Sequence, residues 1–120
     1  MELVFHSLDD RGEKVLFRTA YQIKDNKIIF DDKSTEGTKV EITLGNPLRF
    51  KRAGNVSMEM LFSLNQKTKG YYKSHEVGFD FDFEVLTDKL IVDNNRISIE
   101  YTMFLYGERL SSHKIWILLH

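Results

Sequence analysis

Along Phe79-Asp80-Phe81-Asp82-Phe83-Glu84-Val85 every odd position is apolar and every even one acidic. A β-strand turns successive side chains to opposite faces, so such a segment can bury one face and wet the other. The same period of two recurs along the chain. Ile97, Ile99, Tyr101, Met103 and Leu105 alternate with Arg96, Ser98, Glu100 and Thr102. Val56, Met58, Met60, Phe62 and Leu64 alternate with Ser57, Glu59 and Ser63, and Val15, Phe17, Thr19, Tyr21 and Ile23 with Lys14, Arg18 and Gln22. No stretch places apolar residues at i, i+3, i+4 and i+7 over three turns, which is what a packed helix requires.

Reversal signals separate these segments at short intervals, among them Asp9-Asp10-Arg11-Gly12, Lys24-Asp25-Asn26-Lys27, Ala53-Gly54-Asn55, Asp93-Asn94-Asn95 and Gly107-Glu108. Gly, Asn and Asp accept the positive φ that tight reversals demand. The pattern predicts about nine or ten antiparallel strands in a meander. Those over residues 13–24, 56–66 and 96–106 reach about twice the usual strand length. An open sheet of such strands would expose two long edges, and closure into an up-and-down barrel removes them. The fold class is therefore all-β, an antiparallel barrel, with a two-sheet sandwich as the alternative. At 120 residues the chain is read as one domain, 1–120, with no room for two cores.

One hairpin can be carried to register. A three-residue turn at Ala53-Gly54-Asn55 pairs Arg52 with Val56, Phe50 with Met58 and Leu48 with Met60, and sets Arg49 opposite Glu59. That register satisfies both faces and puts Arg52 on the inward face, near one end of the barrel.

Phe17-Arg18-Thr19-Ala20-Tyr21, Asn26-Lys27-Ile28-Ile29-Phe30, Arg52-Ala53-Gly54-Asn55-Val56-Ser57-Met58, Val77-Gly78 and Asn95-Arg96-Ile97-Ser98-Ile99-Glu100-Tyr101 follow one another in order. Together, from about Phe5 to Leu118, they resemble the YwiB-like family of small bacterial proteins. The resemblance implies a calycin (lipocalin-like) β-barrel of about eight to ten strands and brings no activity with it. Where that family often has an aromatic residue before the Gly, this chain has Val77.

Composition removes several classes of function. Lys and Arg number 17 against 18 Asp and Glu, a net charge of −1, so a nucleic-acid partner is not expected. With no Cys there is no thiolate nucleophile or thiolate metal site. The first residues have neither the basic start nor the apolar stretch of an export signal. The longest apolar run, Ile115-Trp116-Ile117-Leu118-Leu119, falls far short of the roughly 20 residues of a membrane helix. A soluble cytoplasmic protein without a membrane partner is the expectation.

Catalytic and cofactor motifs are lacking. There is no glycine loop for a phosphate and no His-Glu-x-x-His, so no cofactor is expected. Asp80, Asp82 and Glu84 sit about 6.5–7 Å apart along a strand, too far to share one cation, and read as a solvated row facing Lys67, Lys69 or Lys73. Neighbours in a strand point to opposite faces, so neither Ser74-His75 nor Ser112-His113 can bond side chain to side chain without a bulge. His6, His75, His113 and His120 have no metal-pair spacing. An enzyme is not expected, and no catalytic or metal residue is assigned.

The interior remains. Phe17, Tyr21, Phe50, Met58, Met60, Phe62, Phe79, Phe81, Phe83, Tyr101 and Met103 are expected to face inward. A barrel of this size is either filled by side chains or holds one small ligand. In the second case Arg52, Tyr21, Thr19, Tyr101 and Met58 are the candidate binding residues for an apolar or anionic molecule, with Arg52 as its anchor. In the first case the protein is an interaction or self-associating module, a homo-oligomer included.

Overall fold

A computed structural model describes all residues, Met1–His120. Its ten strands are β1 (Glu2–Asp9), β2 (Lys14–Lys24), β3 (Lys27–Asp31), β4 (Lys39–Thr43), β5 (Leu48–Ala53), β6 (Val56–Phe62), β7 (Lys67–Ser74), β8 (Phe79–Val92), β9 (Arg96–Leu105) and β10 (Glu108–Leu119). Each pairs antiparallel with the next, and β1 pairs with β10 to close the barrel. This is the closed up-and-down architecture read from the alternation, and it is consistent with a calycin-like barrel. No helix is long and apolar enough to cross a membrane.

The faces follow the period of two. On β8, Phe83, Val85 and Thr87 are buried, while Asp80, Asp82 and Glu84 stay in solvent. The acidic row faces β7, with Lys69 opposite Glu84, Lys73 opposite Asp80, and Tyr71 donating to Asp80 at 3.1 Å. Gly70 lies opposite Phe83, and a Cβ there would run into the Phe83 ring. The missing side chain is what lets that ring lie across β7.

Three expectations need correction. The β5–β6 register is two residues off, because Arg52 pairs with Met58, Phe50 with Met60 and Leu48 with Phe62. The connection is wider than a three-residue turn and leans on the β3–β4 loop, where a Cβ on Gly54 would collide with Thr38. A shift of two keeps every side chain on its face, so Arg52 still points inward, and Arg49 still reaches Glu59, diagonally, at 3.2 Å. Second, β6 stops at Phe62, since residues 63–66 form a turn with Asn65 at φ 61°. Third, Phe79 is on the inward-facing parity but overshoots the barrel rim and is 56% exposed.

Closure needs a bend in the longest strand. β8 has 14 residues and is bulged between Thr87 and Lys89; β10 is bulged between Arg109 and Ser111. An extra residue on one side of a ladder tightens its twist. The last hairpin turns on Tyr106 and Gly107 at φ 52° and 79°, the paired positive values that match the twist of the flanking strands.

The barrel has two unlike ends. The loops β2–β3, β4–β5, β6–β7 and β8–β9 and both termini lie at one end, and the other five loops form the opposite end. Toward the first end Leu3, Ile28, Ile42, Leu48, Phe62, Ile97 and Ile117 are all 2% exposed or less. That half is a close-packed core. The other half is not filled.

Candidate functional site

The unfilled half is a cavity of about 560 Å³, with residues of the β1–β2 and β3–β4 loops at its mouth. Its apolar wall includes Phe50, Met58, Met60, Tyr72, Phe81 and Met103. The ring of Phe81 stacks on Tyr72 at 4.9 Å and meets Phe79 at 5.4 Å, so an aromatic ladder runs from inside the cavity to the exposed rim. The volume falls within the roughly 300–1,000 Å³ of small-molecule pockets.

Of the residues expected to bind a ligand, Arg52, Met58 and Tyr101 line this cavity, whereas Thr19 and Tyr21 do not. Both of these are buried nearer the opposite end, where the Tyr21 hydroxyl donates to the His120 carbonyl at 3.2 Å. Position along the strand separates them from the cavity, because β2 runs from the mouth at Lys14 toward the closed end.

Arg52 is not a free anion anchor. Its Nη2 donates to Asp32 Oδ2 at 2.8 Å and to Thr35 Oγ1 at 3.1 Å. Asp32 is 8% exposed, and its other oxygen accepts from the Ser34 backbone N–H and hydroxyl. A buried carboxylate needs this much pairing to stay charged. Arg52 Nε is buried and no protein group accepts from it. Asp32, Ser34 and Thr35 escaped the sequence reading. The only local signal was Asp32-Lys33-Ser34, a spacing at which an Asp side chain can accept from the backbone two residues on.

Tyr101 and His113 close one side. Their rings stack at 4.9 Å with 14° between planes, and burial pushes the Tyr101 hydroxyl well above its ordinary pKa. His113 separates the cavity from an outer groove of about 470 Å³ lined mostly by polar and charged residues, including Asp10, Asp88, Glu100 and Lys114. No His, Asp or Glu cluster is placed to hold a metal ion.

Both middle histidines do find serines, though not their neighbours in sequence. His113 Nε2 is 2.7 Å from Ser111 Oγ, and His75 Nε2 is 3.0 Å from Ser57 Oγ. The first pair was legible, since residues i and i+2 share a strand face; the second crosses strands. Neither forms a working nucleophile. Ser111 is buried and does not line the cavity. Asp9, opposite His113 on β1, spends Oδ1 on the backbone N–H groups of Arg11 and Glu13, both at 2.9 Å. Ser57 and His75 bond in the open.

Burial lowers the His113 pKa, with Asp9 and Asp10 pulling weakly the other way. The unfolded chain takes up this proton near the ordinary value of about 6.5, while the folded state still resists it. The His113 contribution to stability is thus complete above that pH, declines as pH falls toward the lowered folded value, and is flat below. His113→Gln is expected to flatten the loss of unfolding free energy between pH 7.5 and pH 5.5, measured by urea denaturation. An unchanged slope would place this histidine in solvent.

Comparison with known proteins agrees with the resemblance carried by the five sequence segments. A family model described as a domain of unknown function, DUF1934, matches residues 6–117. The crystal structure of ywiB protein from Bacillus subtilis is similar, with a TM-score of 0.66 and 21% identity, covering 99% of this chain and 90% of that one. At that identity the likeness shows the fold alone. No curated protein matches the chain.

Proposed function

We propose that this chain, which belongs to the DUF1934 family, binds a small, mostly apolar molecule in the open half of its barrel. One observation carries the reading: about 560 Å³ of interior, walled mainly by apolar side chains, opens at a single end. A core needed only for stability would be packed throughout, as the opposite half is. The aromatic ladder through Phe81 to Phe79 gives an apolar guest a continuous path from rim to interior. Titration with Nile red, a neutral apolar dye, tests this. A saturable fluorescence increase at one site per chain is expected, with affinity at least tenfold lower in Met58→Trp, whose circular dichroism checks folding. A linear, unsaturable signal overturns the reading, as does a folded Met58→Trp with unchanged affinity.

A second reading, self-association, has one observation behind it. Val77, Phe79 and Tyr106 stand 74%, 56% and 92% exposed on hairpins at the open end. Light scattering over a hundredfold range of concentration decides it, and a constant monomer mass removes it.

A further inference from the structure

Resting on the reading of the open half as a binding cavity, we infer that its guest is an amphiphilic organic cation, with an apolar body inside the barrel and a positively charged head at the mouth beside Asp9 and Glu13. The apolar wall receives the body, and the charges around the mouth choose the head.

The charged side chains that line the cavity are Asp9, Glu13, Asp32 and Arg52. Arg52 is matched to Asp32 at 2.8 Å, so the anchor expected for an anion is already occupied. His113, the other basic group on the wall, has its pKa lowered by burial and is neutral at pH 7.5. That leaves Asp9 and Glu13 uncompensated. Solvent reaches both, since Glu13 is exposed and Asp9 partly so. Asp9 ends β1 on the inward parity, opposite His113. The β1–β2 turn holds the two residues side by side, with the Asp9 N–H donating to the Glu13 carbonyl at 3.1 Å and the Glu13 N–H to Asp9 Oδ1 at 2.9 Å. No protein donor reaches Asp9 Oδ2 or the Glu13 carboxylate, and neither residue is in an ion pair.

The wider rim has the same sign. On the five loops of this end Asp10 is paired with Arg109 and Asp32 with Arg52, which leaves Arg11 and Lys33 against Glu13, Glu36 and Glu76. Neither Arg11 nor Lys33 lines the cavity. An anionic head would meet like charge at the mouth, and a neutral one would leave both carboxylates as they are. A cationic head gains two attractive partners there while staying partly hydrated, and its apolar tail leaves water. Deeper in the barrel an unpaired cation would be costly, which fixes the head at the mouth.

Displacement of Nile red from the full chain at pH 7.5 tests the class with three ten-carbon probes, decyltrimethylammonium, 1-decanol and decanoate, each below its micelle-forming concentration. The ammonium is expected to displace the dye at a concentration about tenfold below decanoate, the effect of two partly exposed charge contacts. In Asp9→Asn/Glu13→Gln, where Asn keeps the oxygen that accepts from the turn, the ammonium is expected to weaken by about tenfold and decanol by less than about twofold. Glu36→Gln/Glu76→Gln removes two carboxylates of the same end that do not line the cavity, and is expected to leave the ammonium within about threefold of wild type. Decanoate displacing the dye as well as the ammonium overturns the inference. So does an ammonium affinity unchanged in Asp9→Asn/Glu13→Gln, a decanol affinity that falls with it, or an equal loss in Glu36→Gln/Glu76→Gln, which would put the preference in the charge of the whole end. If the dye binds and no probe displaces it, this class of guest is wrong and the cavity reading stands. If the dye itself does not saturate, the cavity reading falls first. Should the Asp9→Asn/Glu13→Gln variant fail to fold, Glu13→Gln alone decides, with the ammonium expected to weaken by about threefold and decanol unchanged.

Discussion

Phe62→Ala is expected to lower the unfolding free energy by about 3–5 kcal/mol, the usual loss when a buried aromatic ring leaves a hole. Phe81→Ala is expected to cost about 1 kcal/mol, the centre of the range for single substitutions. Both residues sit on inward-facing strand positions, so alternation alone ranks them equally. The barrel does not. Phe62 is 0% exposed, in the packed half, with its ring 5.0 Å from that of Tyr101. Phe81 is only half-buried and already borders the cavity, so truncating it enlarges an existing space and strips little apolar surface from water. A domain of this size has about 5–15 kcal/mol in hand, so the first change approaches global unfolding and the second is tolerated. Urea denaturation with an unchanged slope measures both. Equal losses would mean that the barrel is packed alike at its two ends, and the cavity with everything built on it would fail together.

Those two phenylalanines also mark how far residue order can be read. Parity along a strand decides inside from outside, and it was legible at Phe81 and Phe83, at Ile97 and Ile99, and in the solvated Asp80-Asp82-Glu84 row. Height along the barrel axis is a different quantity. It depends on stagger between neighbouring strands, and a shift of two residues leaves every face unchanged. That degeneracy is why the β5–β6 register was misplaced while Arg52 stayed inward. It is also why Thr19 and Tyr21 were grouped with Arg52, although β2 carries them toward the closed end. The partner of Arg52 was hidden for a related reason. Asp32 lies in the β3–β4 loop, brought across by β4, which separates β3 from β5 in the sheet. No local pattern encodes that meeting.

The Arg52–Asp32 pair carries the second large effect. Arg52→Met is expected to cost about 2–3 kcal/mol, below the roughly 3–5 kcal/mol of a fully buried pair because the Arg52 side chain keeps 28% of its exposure. What is lost is less the attraction than the match, since Asp32 stays 7% exposed in its side chain with a charge that only Ser34 then supports. Asp32→Asn is expected to cost less, about 1–2 kcal/mol, because the freed guanidinium can turn toward water. The double variant Asp32→Asn/Arg52→Met removes both charges at once and is expected to be less destabilised than the sum of the singles by at least about 1 kcal/mol. Salt separates this pair from those on the outer wall. Arg49–Glu59, with side chains 55% and 41% exposed, is expected to lose its coupling in 1 M NaCl, whereas the Arg52–Asp32 coupling persists because little solvent lies around Asp32. Strict additivity in the Arg52–Asp32 cycle, or coupling that salt removes as readily as that of Arg49–Glu59, would leave the guanidinium free in solution. Arg52 would then be free to pair with an anion at the mouth of the barrel.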